Sequence, residues 1–465
     1  MSSRRSPRAT RVERHRSSAS GAKSSPSPST FSAPRPRTHL SKAVADMPTP
    51  NTNGSTRTIV RNGTVLDTTT MTYTEPQVVV IENGVIVDLA DAYTGDADVE
   101  IDAAGQYVLP GLIDGHVHFR LATLDFRSLL QWSEVQFGIN MARLAADTVE
   151  RGFTTVRDLG GDVNGLMRSI ADGHARGPRI VRAGLMLTQT GGHGDVRSGE
   201  IELASCGCVL SSSVMSIVAD GVDAVRKAAR HLLRDGSDFI KIHVSGGVAS
   251  PADPLESVQY TTEEIRTVVT EAQHRGTYVS AHAYTSEAIA MAVDAGVHCI
   301  EHGNLMDDAT ASLIAHAGAV VVPTLVTYQA MHDIGRQHGL PAANLRKNTV
   351  VLDSGLESLE RAHRAGVTLG FGTDLIGEAQ PRQNEELTIR ARVQPAVDVL
   401  RSMWVVNAQL CRLEGKIGVV CPGAFGDIVI SNVDPLADIT AFADHRTALT
   451  HVIQNGRVVV DRSGC

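Results

Sequence analysis

Short apolar runs recur along most of this chain, and stretches with helical spacing separate them. Eight runs have the length and composition of buried strands: 112–119, 154–159, 180–187, 239–244, 278–283, 299–302, 320–327 and 367–373. Between them, 222–233 and 262–274 repeat apolar residues at the 3.6-residue period of a helix. Eightfold alternation of strand and helix predicts an α/β fold, a (β/α)8 TIM barrel of about 250 residues or more.

The first strand candidate ends in His116 and His118. Residues i and i+2 of a strand point to the same face, so both imidazoles reach one point at the carboxyl end of the strand. Two neutral imidazoles that converge in this way are half of a metal site. For an isolated His-x-His, a pair of solvated histidines at the start of a loop is the ordinary alternative.

Later strand candidates also end in polar residues, namely His193, Lys241, His282, His302 and Asp374. Each has an ordinary explanation when taken alone, such as a hydrogen-bonded rim histidine or an aspartate that caps the next helix. A buried lysine is unusual because desolvation penalises its charge. The active groups of a parallel barrel lie at the carboxyl ends of its strands. We therefore interpret the ordered set as one metal site.

Segments near both ends of the chain alternate apolar and polar residues, at 58–66 and 77–88 and again at 427–431 and 451–460. Asn-Gly pairs at 62–63 and 83–84 are hairpin signals. Two β-rich ends around an α/β body predict that the termini pair into a small β-sandwich domain. The predicted domains are a disordered basic tail at 1–56, a first sandwich part at 57–108, the barrel at 109–415 and a second sandwich part at 416–465.

The distribution of charge and cysteine restricts partners and location. Residues 1–56 hold ten Lys or Arg and two acids, a net charge of +8, so the overall −8 leaves −16 on the remainder. A body that acidic argues against nucleic acid as a partner, and no apolar run reaches the ~20 residues that span a membrane. Six scattered cysteines, of which only Cys206 and Cys208 are close, suggest no disulfide framework and predict a cytoplasmic location.

The first 56 residues are rich in Ser, Arg, Pro and Thr and have no apolar periodicity. Such a segment buries too little surface to offset its chain entropy. Three hypotheses remain open: a disordered tail, sequence upstream of a true start at Met47, or a transit peptide rich in Arg and Ser. Without an apolar core segment, a secretory signal is disfavoured.

A chain that begins at Met47 is expected to fold and to bind metal like the full chain. The reason is the composition of the tail and the position of every candidate ligand at or beyond His116. Thermal unfolding and metal content of the two chains, compared side by side, check this expectation. A large drop in soluble yield or melting temperature after truncation would contradict it.

Several segments from about Thr58 to the C-terminus carry a family resemblance. The motifs are Thr154-Thr-Val-Arg-Asp-Leu-Gly160, Gly192-His-Gly-Asp195, Lys241 with Ser245-Gly-Gly-Val248, Ala281-His-Ala-Tyr284, Ile300-Glu-His-Gly303 and Gly372-Thr-Asp374. With these motifs the chain resembles the amidohydrolase superfamily, in the binuclear subtype whose fourth-strand lysine is carboxylated. Within it, the chain is similar to the branch of prolidase-like Xaa-Pro and Xaa-Lys dipeptidases that includes ochratoxinase.

The resemblance implies a binuclear metal centre and a small β-sandwich beside a barrel. The more buried metal would bind His116, His118 and Asp374, and the other would bind His282 and His302. Lys241 would bridge them as N6-carboxylysine, because a carbamate has two oxygens whereas an ammonium cannot bridge cations. Two Zn²⁺ ions are expected, although Mn²⁺ or Co²⁺ would also suit these ligands.

The implied reaction is hydrolysis of an amide in a dipeptide, an N-acyl amino acid or an ochratoxin-like small molecule, by a metal-bridging hydroxide. Asp374 would take the proton of this hydroxide and return it to the leaving amine. Tyr284 could polarise the scissile carbonyl, or be an aromatic residue at the rim. His193 could hydrogen-bond the substrate, or only order its loop. We expect a homo-oligomer.

Three alternatives share part of the pattern. A ring hydrolase similar to imidazolonepropionase would use one metal and lack the strand-four lysine, so Lys241 argues against it. A hydrolase of cyclic amides, lactones or phosphotriesters could use the same centre. A non-catalytic homologue would typically have lost ligands.

Substrate specificity should lie in the loops at 188–220, 245–260, 327–345 and 375–386. In the last loop, Arg382 could pair with a substrate carboxylate or simply be solvated.

Overall fold

A computed structural model describes residues 56–129, 131–195, 215–250 and 253–463. Nearly all of the predicted tail, Cys206, Cys208, Cys465 and much of the 188–220 loop lie outside these residues. Within the described ranges, no helix has both the length and the apolar character needed to cross a membrane.

The strands are numbered β1 to β18 along the chain. They are β1 Arg57–Asp67, β2 Thr72–Glu82, β3 Val85–Ala90, β4 Val99–Asp102, β5 Tyr107–Pro110, β6 Leu112–Val117, β7 Phe153–Asp158, β8 Arg179–Arg182, β9 Met186–Thr188, β10 Ser216–Val218, β11 Ile240–His243, β12 Val279–Thr285, β13 Cys299–Leu305, β14 Val320–Val322, β15 Thr368–Leu369, β16 Ile428–Ser431, β17 Leu449–Gln454 and β18 Arg457–Asp461.

The described α-helices are numbered α1 to α14. They are α1 Phe126–Leu129, α2 Glu134–Glu150, α3 Asn164–Ala171, α4 Val222–Arg234, α5 Thr262–His274, α6 Ser286–Asp294, α7 Asp308–Ala317, α8 Val326–Ile334, α9 Ala342–Arg364, α10 Glu385–Arg390, α11 Ala396–Arg401, α12 Asn407–Cys411, α13 Ile439–Ala443 and α14 His445–Ala448. A 3₁₀ turn at Gly377–Arg382 and a π-helical turn at Ser402–Val406 complete the set.

Strands from both termini form one hydrogen-bonded sheet of eight strands, in the order β18-β17-β16-β5-β1-β2-β3 with β4 beside β1. The antiparallel pairing of β5 with β16, from Tyr107 opposite Ser431 to Pro110 opposite Ile428, joins the two ends of the chain. The predicted pairing of the termini is therefore confirmed, although the strands hydrogen-bond as one sheet rather than as two separate ones. The predicted domain boundaries stay predictions.

Two of the three Asn-Gly pairs in this sheet form hairpin turns, and one does not. Asn83-Gly84 connects β2 to β3, as predicted, and Asn455-Gly456 connects β17 to β18. The hairpin predicted at 62–63 is wrong, because Asn62 lies inside β1 with φ of 56° at a register shift between Val60 and Gly63. The same left-handed backbone that favours Asn and Gly in hairpin turns also occurs in a β-bulge.

The body contains two parallel sheets. One has the order β6-β7-β8 and the other β10-β9-β11-β12-β13-β14-β15. Backbone hydrogen bonds connect both edge strands of the three-stranded sheet to the other sheet. At β8, Arg182 O accepts from Asp238 N, just before β11, at 2.9 Å, and at β6, Gly115 N donates to Phe371 O, just after β15, at 2.7 Å. The carboxyl ends of β6 and β11–β13 therefore surround the same region.

Each of the eight predicted strand runs overlaps an observed strand. The run 180–187 is split into β8 and β9 around Gly184, whose φ is 75°. The run 320–327 is too long, because β14 ends at Val322 and α8 begins at Val326. Apolar β-branched residues suit both a strand and the buried face of a helix, so composition alone does not separate them.

Both predicted helices are present, as α4 and α5. At the start of α5 the Thr261 hydroxyl accepts from Glu264 N while the Glu264 side chain accepts from Thr261 N, which completes a capping box. The buried face of α5, including Ile265 and Val268, packs in a large core cluster with residues of β11 and β12. This packing fixes the strands that carry the site residues.

Candidate metal centre

The six predicted metal ligands lie in parallel strands of the body or shortly after them. They are His116 and His118 at the end of β6, Lys241 in β11, His282 in β12, His302 in β13 and Asp374 after β15. The register places His243 opposite His282, and Ala283 opposite His302. All five nitrogen-bearing side chains in this set are buried.

His116, His118 and Asp374 converge on one point. The Nε2 atoms of both histidines lie 3.4 Å from Asp374 Oδ1. One potential ligand atom from each of the three residues lies within 4.8 Å of the other two. Neutral imidazole is the form that binds a metal, and burial lowers the pKa of His116 to about 4 and holds that of His118 well below its usual value.

His282 and His302 lie next to this group of three residues. Their ring centroids are 4.6 Å apart, and His302 lies 4.9 Å from His116. His302 Nδ1 is 2.8 Å from Thr324 Oγ1, which leaves Nε2 for a metal. His282 Nε2 is 3.2 Å from Gly246 O, which leaves Nδ1. Burial holds the pKa of both imidazoles well below its usual range.

Glu301 fixes the orientation of the His116 ring through a hydrogen bond to Nδ1. His116 Nδ1 donates to Glu301 Oε2 at 2.8 Å, so Nε2 is the nitrogen that remains for a metal. The other oxygen, Oε1, accepts from Ser280 Oγ and from Arg157 at 2.5 Å each. Burial alone would raise the pKa of Glu301, but the charge of Arg157 and the hydrogen bond from His116 hold it well below its usual value. The carboxylate therefore stays ionised in a fully buried place.

Lys241 places a buried amine among the candidate ligands. Its Nζ is buried, and among the residues that the structure describes it has no hydrogen-bond partner. Burial lowers the pKa of Lys241, while the carboxylates of Glu301 and Asp374 oppose that shift. Since only the neutral amine attacks CO₂, this burial favours the reactive form. The donor set of four imidazoles, one carboxylate and a potential carbamate fits two divalent metals.

Backbone strain marks two of the candidate ligands. His302 has φ of 73° and Asp374 has φ of 51°, a region that residues other than glycine rarely adopt. Asp114 holds the backbone beside Asp374, since its carboxylate accepts from Thr373 N at 3.2 Å and Thr373 Oγ1 at 2.6 Å. Burial raises the pKa of Asp374, and the Lys241 charge opposes this. A carboxyl with a raised pKa is suited to proton transfer.

His193 and Tyr284 both lie beside His282. The His193 ring stacks on His282 with centroids 4.3 Å apart and an interplanar angle of 24°. Tyr284 meets His282 edge-on at 4.8 Å, and its hydroxyl lies 2.8 Å from that of Tyr328. Tyr328 OH is in turn 3.1 Å from His302 Nδ1. Tyr284 is therefore a buried member of a hydroxyl–imidazole chain rather than an aromatic residue at the rim.

Arg382 does not offer a free charge to a substrate. Its guanidinium donates to Asp333 Oδ2 at 2.6 Å and to Glu385 Oε2 at 2.7 and 2.9 Å. Both carboxylates raise the pKa of Arg382. In this structure its charge is therefore paired with two acids, and the role of a carboxylate anchor for this residue stays untested.

Four residues near the site escaped the sequence interpretation as functional candidates: Glu301, Asp114, Tyr328 and Asp253. Asp114 had a signal, because it stands two residues before His116 and thus on the same strand face. Glu301 had none, since adjacent residues of a regular strand face opposite ways. The left-handed backbone at His302 breaks that alternation, so that Glu301 and His302 can both belong to the site.

Comparisons with known proteins identify the class to which this fold and site belong. The model of the Amidohydrolase family matches residues 107–459. The chain therefore belongs to the amidohydrolase family, which confirms the predicted resemblance and enzyme class, a hydrolase that acts on carbon–nitrogen bonds.

Particular relatives lie in the predicted branch. Ochratoxinase of Aspergillus niger is 29% identical over 369 residues, covering 76% of this chain and 75% of that protein. The crystal structure of a prolidase complexed with N-methylphosphonate-L-proline is 41% identical, with a TM-score of 0.83 over 87% of this chain and 100% of its own. A Xaa-Pro dipeptidase with methionine in its active site is 29% identical, with a TM-score of 0.77 over 87% of this chain and 99% of its own.

Proposed function

We propose that this protein is a binuclear metal-dependent amidohydrolase that releases a free amino acid from a dipeptide or an N-acyl amino acid. The observation that carries the proposal is the convergence of His116, His118 and Asp374 beside the buried amine of Lys241. The similarity to a prolidase, a Xaa-Pro dipeptidase and ochratoxinase supports the substrate class, including ochratoxin-like amides. The two parallel sheets would together form the closed (β/α)8 barrel, which the backbone bonds at both edges support.

The ligand assignment follows the nitrogens that remain after the hydrogen bonds are satisfied. His116 and His118 would bind one metal through Nε2 together with Asp374, and His282 and His302 would bind the other through Nδ1 and Nε2. Lys241, carboxylated on Nζ, would bridge the two. When bound, two divalent metals, Zn²⁺ by the preference of this donor set, would lower the pKa of water to about 7 and polarise a carbonyl.

The chain's own groups would then move the protons and hold the substrate. Asp374 would accept the proton of the attacking water and deliver it to the amine that leaves. Tyr284 would donate its hydroxyl hydrogen bond to the oxygen of the scissile carbonyl, where negative charge develops. His193 would hydrogen-bond the carbonyl or the α-carboxylate of the substrate. A single metal site similar to that of imidazolonepropionase would leave the buried Lys241 without a role.

Substrates with a free α-carboxylate are expected to react faster than their amidated counterparts. Zinc-loaded protein would be given pairs of dipeptides and N-acyl amino acids that differ only in a terminal carboxylate or carboxamide, with amino acid release as the measurement. The expected loss of kcat/KM on amidation is about 10²-fold, the cost of losing one hydrogen bond to a charged group.

The control is the metal-free protein, which should release no amino acid from either member of a pair. Equal rates on both members would contradict the carboxylate requirement. Activity confined to lactones, cyclic amides or phosphotriesters would replace the amidase proposal with the alternative chemistry of the same centre.

A further inference from the structure

A buried carboxylate outside the metal-ligand set faces the ring of His193. Asp253 Oδ2 lies 3.4 Å from His193 Nδ1, and the Asp253 side chain is 1% exposed. Burial alone would raise the pKa of Asp253, but contact with His193 and the charge of Lys347 lower it below its usual value. The carboxylate is therefore ionised beside the imidazole. The contact is longer than a made hydrogen bond, and His193 Nδ1 has no hydrogen-bond partner among the described residues. The negative charge of the carboxylate nevertheless favours a proton on Nδ1, which leaves Nε2 for another partner.

The loop that carries Asp253 is shaped to fit His193. A Cβ at Gly247 would lie 2.2 Å from His193 Cε1, so only glycine lets the loop approach the ring this closely. Gly247 N donates to Asp253 Oδ2 at 2.8 Å, which ties the carboxylate to the same loop. The backbone of His193 is also held, because its N–H donates to Gln259 Oε1 at 2.8 Å. The imidazole thus lies between the loop and the ring of His282.

Helix α9 holds this loop through Lys347. The ammonium donates to Gly247 O at 3.1 Å and to Ser250 O at 2.8 Å, and it also contacts Asp253 O. It lies 3.9 Å from Asp253 Oδ1, so its charge also offsets that of the carboxylate. Three carbonyls converging on one largely buried ammonium make a rigid attachment, because each donor of Lys347 has a separate acceptor.

Neighbouring polar residues of α9 extend this attachment around the site. Asn344 donates to Val248 O at 2.6 Å and to Ala249 O at 2.9 Å. Asn348 donates to the backbone carbonyl of Tyr328, the residue that contacts Tyr284 and His302. Since residues three and four apart lie on one helix face, a single face of α9 fixes both the Asp253 loop and Tyr328.

We propose that Asp253 is the positioning residue of His193, and that Lys347 fixes the loop from which Asp253 acts. The pair would set the tautomer and the ring orientation with which His193 meets the substrate. The contact of His193 with a substrate rests on the proposed function. The orientation of the His193 ring by Asp253 does not depend on it.

A double-mutant cycle tests the claim. In the metal-loaded full chain, Asp253→Asn and His193→Ala should each lower kcat/KM by about 10- to 100-fold, and the double variant should match His193→Ala within ~2-fold. Asp308→Asn, the same change at an exposed carboxylate paired with Arg364, is the matched control and should leave kcat/KM unchanged. Effects of the two single variants that multiply in the double variant would overturn the proposal.

A second readout does not require activity. In a crystal structure of the Asp253→Asn variant, the His193 ring should rotate away from its stacking on His282, where the interplanar angle is now 24°. An unchanged ring would overturn the proposal, even if the wild-type protein hydrolysed none of the amides. If Asp253→Asn does not fold, Lys347→Gln takes its place in the cycle and in the crystal, with the same expected and contradicting results.

Discussion

Replacement of Lys241 by alanine should lower kcat/KM by at least ~10³-fold, equivalent to about 4 kcal/mol of transition-state stabilisation. The residue has a buried Nζ among the five other candidate ligands, and no other described lysine is fully buried. Its removal takes away the proposed bridging carbamate, and with it the common anchor of both metals. Steady-state hydrolysis of an N-acyl amino acid is the measurement.

Short carboxylic acids provide the sharper part of this test. Acetate or propionate should partly restore activity to Lys241→Ala, because a free carboxylate can supply the two oxygens that the carbamate supplied. Lys227→Ala, the same change on an exposed position of α4, is the matched control and should be indistinguishable from wild type. Full activity of Lys241→Ala without added acid would rule out a bridging role.

Replacement of Glu301 by glutamine should destabilise the protein by about 3–5 kcal/mol, because it leaves the guanidinium of Arg157 buried without its counter-charge. It should also weaken metal binding by about 10- to 100-fold. The new amide would donate to His116 Nδ1, and the imidazole would then carry its proton on Nε2, the nitrogen assigned to the metal.

Denaturant unfolding and metal titration separate these two effects. Unfolding in the presence of a chelator measures the cost of the unpaired Arg157, since metal then contributes nothing. Metal titration of the folded variant measures the change at His116. Glu287→Gln, an exposed carboxylate on α6, is the control for both. Wild-type stability and wild-type metal affinity in Glu301→Gln would contradict the role assigned to this carboxylate.

Sequence patterns assigned the candidate ligands to the observed strands, although several strand bounds differ from the predicted ones. The candidate ligands of β6, β11, β12 and β13 were found because a polar residue after an apolar run is a local signal. The partners of these residues come from remote segments, such as Glu301 behind His116 and Asp253 beside His193. No local pattern predicts that a carboxylate 185 residues away will orient an imidazole.

Backbone conformation explains the remaining differences. The period of two fails at His302 and at Asp374, where positive φ turns the side chains in a direction that a regular strand forbids. The Asn62-Gly63 pair correctly indicated left-handed backbone at Asn62, but the chain does not reverse there. Arg382 was a plausible anchor in the sequence, and only tertiary structure places Asp333 beside it.

The density around Lys241 in a crystal structure of the zinc-loaded enzyme tests the central claim most directly. Anomalous scattering at the zinc edge locates the metals, and the electron density beyond Nζ reveals any carbamate. We predict two zinc peaks within the ring of His116, His118, His282, His302 and Asp374, with density for a carboxylate on Nζ between them. An unmodified ammonium at Lys241, with one zinc peak or none, would contradict the account.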